Sequence, residues 1–235
     1  MFWIDYWYII LIMPAILFSL WASFRVNSTF DRYAKKMSCR GLTGAEAARR
    51  VLAENGVSGV GIKRTSGKLT DHYDPRNNTI YLSDAVYDNT SCAAIGVAAH
   101  EAGHAVQYAK NYAPVRIRAA IIPVTNIGSR LAIPLILFGI VLMGFAESYI
   151  ILAYIGVACF ALTTLFQLVT LPTEFNASGR AIRAIEDSGM LSSDEINGAK
   201  KVLSAAALTY VAALAVSIAQ LLRLLLLVSG NSRRR

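Results

Sequence analysis

Long apolar segments separated by polar stretches are the most prominent pattern along the chain. Four such segments occur, and each carries at most one charged residue. A helix of about 20 apolar residues is long enough to cross a bilayer. The segments are residues 2–24, 131–146 together with the preceding 127–130, 149–171 and 202–228. This pattern predicts an α-helical membrane protein with about four membrane segments.

The polar stretch after the first segment has the periodicity of a small α+β domain. Residues 42–56 predict a helix in which Thr43 and Glu46 form a capping box and Gly56 ends the helix. Three short alternating stretches follow, joined by the turn sequences SG and DPRNN, and they predict a short antiparallel meander. These stretches are residues 60–65, 68–73 and 79–83.

Further helices are predicted after the meander. The sequence DNTS offers N-caps for a helix over about residues 92–110. Residues 111–128 have mixed polarity, so we expect them at the membrane surface. Pro172 suits the first turn of a helix that continues through Ile185.

Charge predicts the orientation of these segments. The first segment has no positive charge ahead of it, which favours a retained anchor over a cleaved signal peptide. Lysines and arginines concentrate on the cytoplasmic side of membrane proteins, so residues 25–120 and the loop 172–201 are expected there, with the 146–149 turn outside. A full span over 202–228 would put Arg233, Arg234 and Arg235 outside, so whether that segment crosses completely is left open.

Composition limits the class of partner. Hydrophobic residues make up 55% of the chain, and the net charge of +8 comes from basic residues beside the membrane segments. We therefore expect contact with a lipid bilayer, and no nucleic-acid partner, because no nucleic-acid motif accompanies the charge. The three cysteines, Cys39, Cys92 and Cys159, are far apart and form no disulfide framework, which suits a reducing compartment.

The sequence VAAHEAGHAVQ contains the candidate chemistry. His100 and His104 are four residues apart and therefore lie on one face of the predicted helix, with Glu101 beside that edge. This is the H-E-x-x-H arrangement, in which two imidazoles hold zinc and the glutamate activates a zinc-bound water. The alternative is a pair of buried core histidines beside a solvated glutamate. The capped apolar helix near membrane segments favours the metal site, because an ionisable cluster there is costly unless it is used.

A catalytic zinc ion usually takes three protein ligands, so a third is expected. Glu174 is the first acid after two spans return the chain to the cytoplasmic side, although an acid there also suits the first turn of a helix. Glu147 falls on the outward turn. The other candidates for this position are His72, Glu186 and Asp187.

His72 has a second possible role. It lies at the end of a predicted strand and is a candidate donor to the oxyanion formed during peptide hydrolysis, or a turn residue bonded locally. Asp71 and Asp74 beside it are expected to form turns. The strand at 79–83 precedes the metal helix, so it is either an exposed edge that binds an extended substrate or a purely structural strand.

With these residues in place, the chain resembles the neutral zinc metallopeptidases of bacterial membranes over essentially its whole length. The resemblance rests on LTDHYDPRNNTIYLSDAVY followed by SCAAIGVAAHEAGHAVQ. The chain is more distantly similar to the CAAX prenyl protease and heat-shock membrane protease group. The likeness implies one zinc ion held by His100, His104 and Glu174, with Glu101 as the base. That distant group has an aspartate where this chain has Ser178, so Ser178 or Asn176 is expected to orient a ligand histidine instead.

Taken together, these features predict an α-helical membrane protein with a small α+β zincin-like domain. It is expected to hydrolyse membrane-associated proteins at the cytoplasmic face of the cell membrane.

Two rival functions are considered. One is a membrane scaffold or chaperone with structural zinc, a site that usually has four ligands, many of them cysteines. The other is a transporter, which would show repeats. The expected division is 1–24 anchor, 25–120 metallopeptidase region, 121–171 hairpin of two spans, 172–201 helix with the third ligand, and 202–235 membrane or interfacial helix with a basic tail.

Overall fold

The computed structural model describes residues 5–232, which form six α-helices and one three-stranded sheet. A π-helical turn (Tyr8–Ile12) leads into the first helix, and a 3₁₀ turn (Glu147–Tyr149) precedes the fifth. The elements are α1 (Met13–Tyr33), α2 (Gly44–Glu54), β1 (Gly61–Thr65), β2 (His72–Asp74), β3 (Thr79–Ser83), α3 (Cys92–Ala109), α4 (Ala113–Leu142), α5 (Ile150–Asp187) and α6 (Ser193–Ser232).

Four helices are long and apolar enough to cross a membrane, as the hydropathy pattern predicts. They are Tyr8–Tyr33, Ala113–Leu142, Glu147–Asp187 and Ser193–Gly230. The arginines at 233–235, on which the orientation of the last segment depended, lie outside the described residues.

One predicted helix boundary is wrong. Residues 113–128 form the first part of α4, which continues without a break to Leu142. Pro172 lies inside α5 and does not begin a new helix. Proline inside a helix removes one backbone hydrogen bond, and its ring clashes with the carbonyl four residues earlier. Membrane helices tolerate this because neighbouring helices and small local adjustments satisfy the freed carbonyl.

The described chain separates into two compact units. The first contains residues 5–21, 117–171 and 210–232, and the second contains residues 22–116 and 172–209. The first unit is therefore built from parts of the four long helices, while the second contains α2, the sheet and α3.

Small residues bring α4 and α5 together in the first unit. A β-carbon at Gly139 would lie 2.4 Å from the backbone nitrogen of Ala153, and one at Gly156 would lie 2.6 Å from the carbonyl oxygen of Ala132. Such close backbone approach is typical of membrane helices, where packing has to hold helices together because lipid is as apolar as the side chains.

A charged pair joins Asp5, ahead of the π-helical turn, to helix α6 in the same unit. The guanidinium of Arg223 on α6 donates to both carboxylate oxygens of Asp5, from Nε at 3.3 Å and from Nη2 at 3.2 Å. The Arg223 side chain is 8% exposed and also lies 5.2 Å from the ring centre of Tyr8. Each charge therefore has a partner in an apolar setting, where an isolated charge would be costly.

The sheet of the second unit is mixed, so the predicted antiparallel meander is wrong. β3 lies in the centre, paired antiparallel with β2 and parallel with β1. The DPRNN turn does make a tight hairpin between β2 and β3, with Asn78 at a φ of +50°. The SG turn does not, because the chain passes through Leu69 at a φ of +56° and then crosses to the far side of β3.

Apolar burial places β3 in that central position. Ile80 and Leu82 are fully buried and belong to one core cluster with α2 and α3. The α2 helix begins as predicted, because Thr43 accepts from the backbone of Glu46 while the Glu46 carboxylate accepts from the backbone of Thr43. Gly56 follows its end at a φ of +68°.

Candidate metal centre

Helix α3 carries the H-E-x-x-H residues and has the predicted limits. Ser91 caps it by accepting a hydrogen bond from the backbone of Ala94 at 3.2 Å. Most residues of α3 are buried, and most of these are alanine, glycine or valine, whose small side chains let other elements pack closely around the helix. The rings of His100 and His104 lie edge to face on one side of the helix, with centres 4.7 Å apart and an interplanar angle of 84°.

Helix α5 comes close to α3 beside these histidines. A β-carbon at Gly103 would lie 2.8 Å from the carbonyl oxygen of Ala177, so only glycine permits this approach. Ala177 itself is fully buried. The contact brings Glu174, nearly one turn earlier on α5, to the histidine face of α3.

The Glu174 carboxylate lies between the two imidazoles. Its Oε2 atom is 3.4 Å from Nε2 of His100 and 3.4 Å from Nε2 of His104. The Glu174 side chain is 3% exposed and each histidine side chain is 12% exposed. Among the described residues, these three form a group of potential metal ligands whose ligand atoms all lie within 4.8 Å of one another.

The spacing of these atoms fits a zinc ion. Zinc binds histidine nitrogen and carboxylate oxygen at about 2.0–2.2 Å in tetrahedral geometry, which separates two ligand atoms by roughly 3.3–3.5 Å. The two nitrogen–oxygen distances of 3.4 Å lie within that interval. Two histidines and a glutamate are also the ligand set of catalytic zinc sites, which leave a fourth position open.

The other nitrogen of each imidazole has a hydrogen-bond partner. Nδ1 of His100 is 3.0 Å from the hydroxyl of Ser178, and Nδ1 of His104 is 3.0 Å from Oε1 of Gln107. Such partners orient ligand histidines and leave Nε2 to the metal. Ser178 was an expected partner, whereas sequence reasoning missed Gln107; its position three residues after His104, on the same helix face, was the available signal.

Electrostatics couple His104 to its acidic neighbours. Burial acts to lower the pKa of His104, but the carboxylates of Glu174 and Glu101 raise it above its ordinary value. Glu101 is 8% exposed, so its carboxylate is largely withdrawn from solvent beside the ligand group. The three ligand atoms and this acid therefore form one interacting cluster.

Asp74 forms a turn as expected, whereas Asp71 does not and instead bonds to strand β3. The Asp71 carboxylate accepts hydrogen bonds from the backbone and hydroxyl of Ser83 at 2.7 and 3.0 Å. Burial raises the pKa of Asp71, and the nearby Glu101 carboxylate raises it further. Asp74 accepts from the backbone of Arg76 and so closes the turn before β3.

His72 lies apart from the ligand group. Its ring stacks on Tyr81 of β3 with centres 4.9 Å apart, and its Nδ1 is 2.8 Å from the carbonyl oxygen of Thr70. Adjacent strand residues face opposite sides of a sheet. Tyr73, the next residue, packs on Tyr108 of α3, so His72 is on the sheet face that is turned away from α3.

The remaining acids do not join the ligand group. Glu186 pairs with Lys200 at 2.7 Å, and Asp187 lines a surface cavity of about 570 Å³ beside Arg183. Glu147 begins the exposed 3₁₀ turn before α5. Cys39, Cys92 and Cys159 are all free thiols, as expected.

Comparison with known proteins connects this geometry to a family. The family described as "Putative neutral zinc metallopeptidase" matches residues 8–229. The chain is also similar to "Putative membrane protease YugP" of Bacillus subtilis (strain 168), with 45% identity over 220 residues that cover 94% of this chain and 96% of the relative. No solved structure matches.

Proposed function

The chain belongs to the family of neutral zinc metallopeptidases, and we propose that it is a membrane-embedded, zinc-dependent endopeptidase that cuts membrane-associated proteins. The observation that carries the proposal is the convergence of His100, His104 and Glu174 at tetrahedral spacing, with Glu101 buried beside them.

Each residue of this cluster has a separate task in the proposed reaction. His100, His104 and Glu174 would hold zinc, which when bound acts as a Lewis acid that polarises the scissile carbonyl and makes water more acidic. Glu101 takes a proton from the attacking water and later delivers it to the leaving amine. Ser178 and Gln107 hold the two imidazoles in orientation through their Nδ1 atoms.

The substrate is proposed to bind at β2. The sequence suggested β3 as an exposed edge, but β3 is the central strand and has no open edge. Strand β2 is an outer strand of the sheet within the described residues, and it packs against the metal helix through Tyr73 and Tyr108. An extended peptide could pair with its backbone and lie alongside α3.

We further propose that the catalytic residues act at the cytoplasmic face. Basic residues follow the apolar part of the first helix and populate the polar end of α5 and the polar start of α6, and such residues favour the cytoplasmic side. Substrates would then be membrane-associated or damaged membrane proteins within reach of a site near the bilayer. The lysines and arginines at these two helix ends are Arg180, Arg183, Lys200 and Lys201.

The rival function, a membrane scaffold or chaperone with structural zinc, has less support. Structural sites usually have four ligands and are rich in cysteine. The group found here contains three ligands and no cysteine, and an acid suited to proton transfer lies beside it.

The Glu101→Gln variant separates these two functions. Because Glu101 acts as a base and not as a ligand, the variant should keep about one zinc ion per chain and lose cleavage of an unfolded membrane substrate. Metal analysis and proteolysis on purified wild type and variant provide the measurement. Cleavage at the wild-type rate by the variant would overturn the proposed mechanism.

A further inference from the structure

The buried side chain of Gln107 links the two helices that carry the candidate ligands. It is fully buried on α3, and its Oε1 lies 3.0 Å from Nδ1 of His104. Its Nε2 donates to the carbonyl oxygen of Thr173 at 2.8 Å and to Oδ1 of Asn176 at 3.0 Å. Thr173 and Asn176 stand on either side of Glu174 along α5.

These contacts determine which way the Gln107 amide points. The amide nitrogen has two hydrogens, and both are engaged with oxygen atoms of α5. A flipped amide would turn Oε1 towards those two oxygens and leave them without the donor. Oε1 therefore faces His104, and since a carbonyl oxygen only accepts, Nδ1 of His104 has to carry the hydrogen. The lone pair of His104 is then on Nε2, the atom that lies beside Glu174.

The partner of the other histidine does not impose this choice. Nδ1 of His100 meets the hydroxyl of Ser178, which can either donate or accept. Gln107 thus differs from Ser178 in selecting one tautomer of its histidine. The link also extends along α5, because Nε of Arg180 donates to the same Oδ1 atom of Asn176 at 2.8 Å.

We propose that Gln107 is a positioning residue for zinc binding. It keeps His104 in the tautomer that presents Nε2 to the metal, and through Thr173 and Asn176 it holds α5 in the register that presents Glu174. The inference rests on the proposed function, because it takes His100, His104 and Glu174 as the metal ligands.

Zinc affinity, measured by chelator competition without any peptide, tests this role. Gln107→Met keeps the length of the side chain but removes both ends of the link, and it should weaken zinc binding by roughly 10–100-fold. It should also change the visible spectrum of the Co²⁺-substituted protein, which reports ligand geometry. Gln107→Glu keeps an acceptor for His104 but removes the donors to α5, so it should weaken binding while His104 retains its tautomer.

Thr164→Val is the matched control. It removes another hydrogen bond between helices, that of the Thr164 hydroxyl to the Ser217 hydroxyl at 2.8 Å, in the unit that lacks the ligand group. It should leave zinc affinity and the Co²⁺ spectrum unchanged. An equal loss of affinity in the control and in Gln107→Met would reduce Gln107 to a structural role and overturn the inference.

The tautomer can also be measured in the wild-type protein, whether or not Gln107→Met folds. The chain has three histidines, so ¹⁵N-histidine labelling gives a simple NMR spectrum of the metal-free protein, recorded at a pH where His104 is neutral. His72→Gln identifies one signal, and the response to Gln107→Glu identifies His104. A proton on Nδ1 of His104 is expected, and a proton on Nε2 would contradict the inference.

The outcomes separate this inference from the proposed function. If the wild-type protein binds no zinc, both are overturned. If the wild type binds zinc and Gln107→Met binds it equally well with an unchanged Co²⁺ spectrum, only the role of Gln107 is overturned.

Discussion

Gly103 and Ala177 lie so close that a β-carbon on the glycine would be 2.8 Å from the carbonyl oxygen of the alanine. This contact joins the helix of the two histidines to the helix of Glu174. Real β-carbons essentially never approach a backbone atom this closely, so any larger residue at Gly103 has to push α5 away. The glycine of H-E-A-G-H therefore controls whether the third ligand reaches the other two.

Gly103→Ala should consequently lower zinc content. The added methyl group separates α3 from α5 and moves Glu174 away from Nε2 of both histidines. Metal analysis of the purified variant, with a thermal melt to confirm folding, provides the measurement. Gly179→Ala is the matched control, because a β-carbon at Gly179 on α5 meets nothing within 4 Å. A zinc content equal to wild type in Gly103→Ala would contradict this prediction.

Glu174→Ala should lower both zinc occupancy and proteolysis, since it removes one of three ligands. Glu186→Ala, on the same helix, serves as the control. It removes an exposed pair with Lys200, and exposed pairs contribute only about 0–1 kcal/mol, so zinc content should stay unchanged. Full zinc retention in Glu174→Ala would show that another group completes the site.

His72→Ala should keep zinc at the wild-type level, because its ring lies on the sheet face turned away from α3. The same placement predicts that cleavage falls by less than about tenfold, whereas loss of an oxyanion donor costs roughly 100-fold or more. Single-turnover rates of cleavage distinguish the two. A reaction roughly 100-fold slower with full zinc content would support the oxyanion role that the sequence suggested.

Cysteine labelling tests the proposed orientation. In a Cys39→Ser background, a cysteine introduced by Lys68→Cys should resist a membrane-impermeant thiol reagent in intact cells and react after lysis. Lys68 is about half exposed, and its pair with Asp31 is an exposed one whose loss costs little. A cysteine at Ser148, in the turn before α5, should react in intact cells. The reverse labelling pattern would put the proposed active site outside the cell.

The pair of Asp5 and Arg223 should respond to substitution as a buried ion pair. Removing one partner leaves the other charge buried without a partner, which typically lowers the free energy of unfolding by about 3–5 kcal/mol. Replacing both partners by apolar residues is nearly neutral. Arg223→Leu alone should therefore lower the melting temperature in detergent by roughly 6–20 °C. The double variant Asp5→Leu/Arg223→Leu should recover most of that loss.

The exposed Arg130→Leu on α4 is the control for this pair, with little expected change. If the double variant melted as low as Arg223→Leu, removing the second charge would recover no stability, and the cost of Arg223→Leu would not come from an unpaired charge. The prediction would then be wrong.

Local features were predictable from the sequence because their causes lie within a few residues of one another. The capping box of Thr43 and Glu46, the cap at Ser91 and the limits of α3 all follow from contacts three or four positions apart. The same is true of the shared face of His100 and His104. Apolar length alone also predicted four membrane-capable helices.

Strand order and helix continuity needed the tertiary structure. Alternation identified three strand-like stretches, but only the burial of Ile80 and Leu82 against the core places β3 between β1 and β2. Pro172 resembled a helix start because the packing that continues α5 on both sides of it is invisible in a local pattern.

The candidate site divides in the same way. Spacing along the chain was enough to place two histidines and a glutamate on one helix, and a count of membrane crossings favoured Glu174 as their partner. The position of its Oε2 atom, 3.4 Å from both imidazoles, was not predictable, since it depends on the absence of a side chain at Gly103. Nor was it predictable that Gln107 bonds across to Thr173 and Asn176, more than 60 residues away along the chain. Contacts between distant segments depend on how whole helices pack, and no local periodicity encodes that packing.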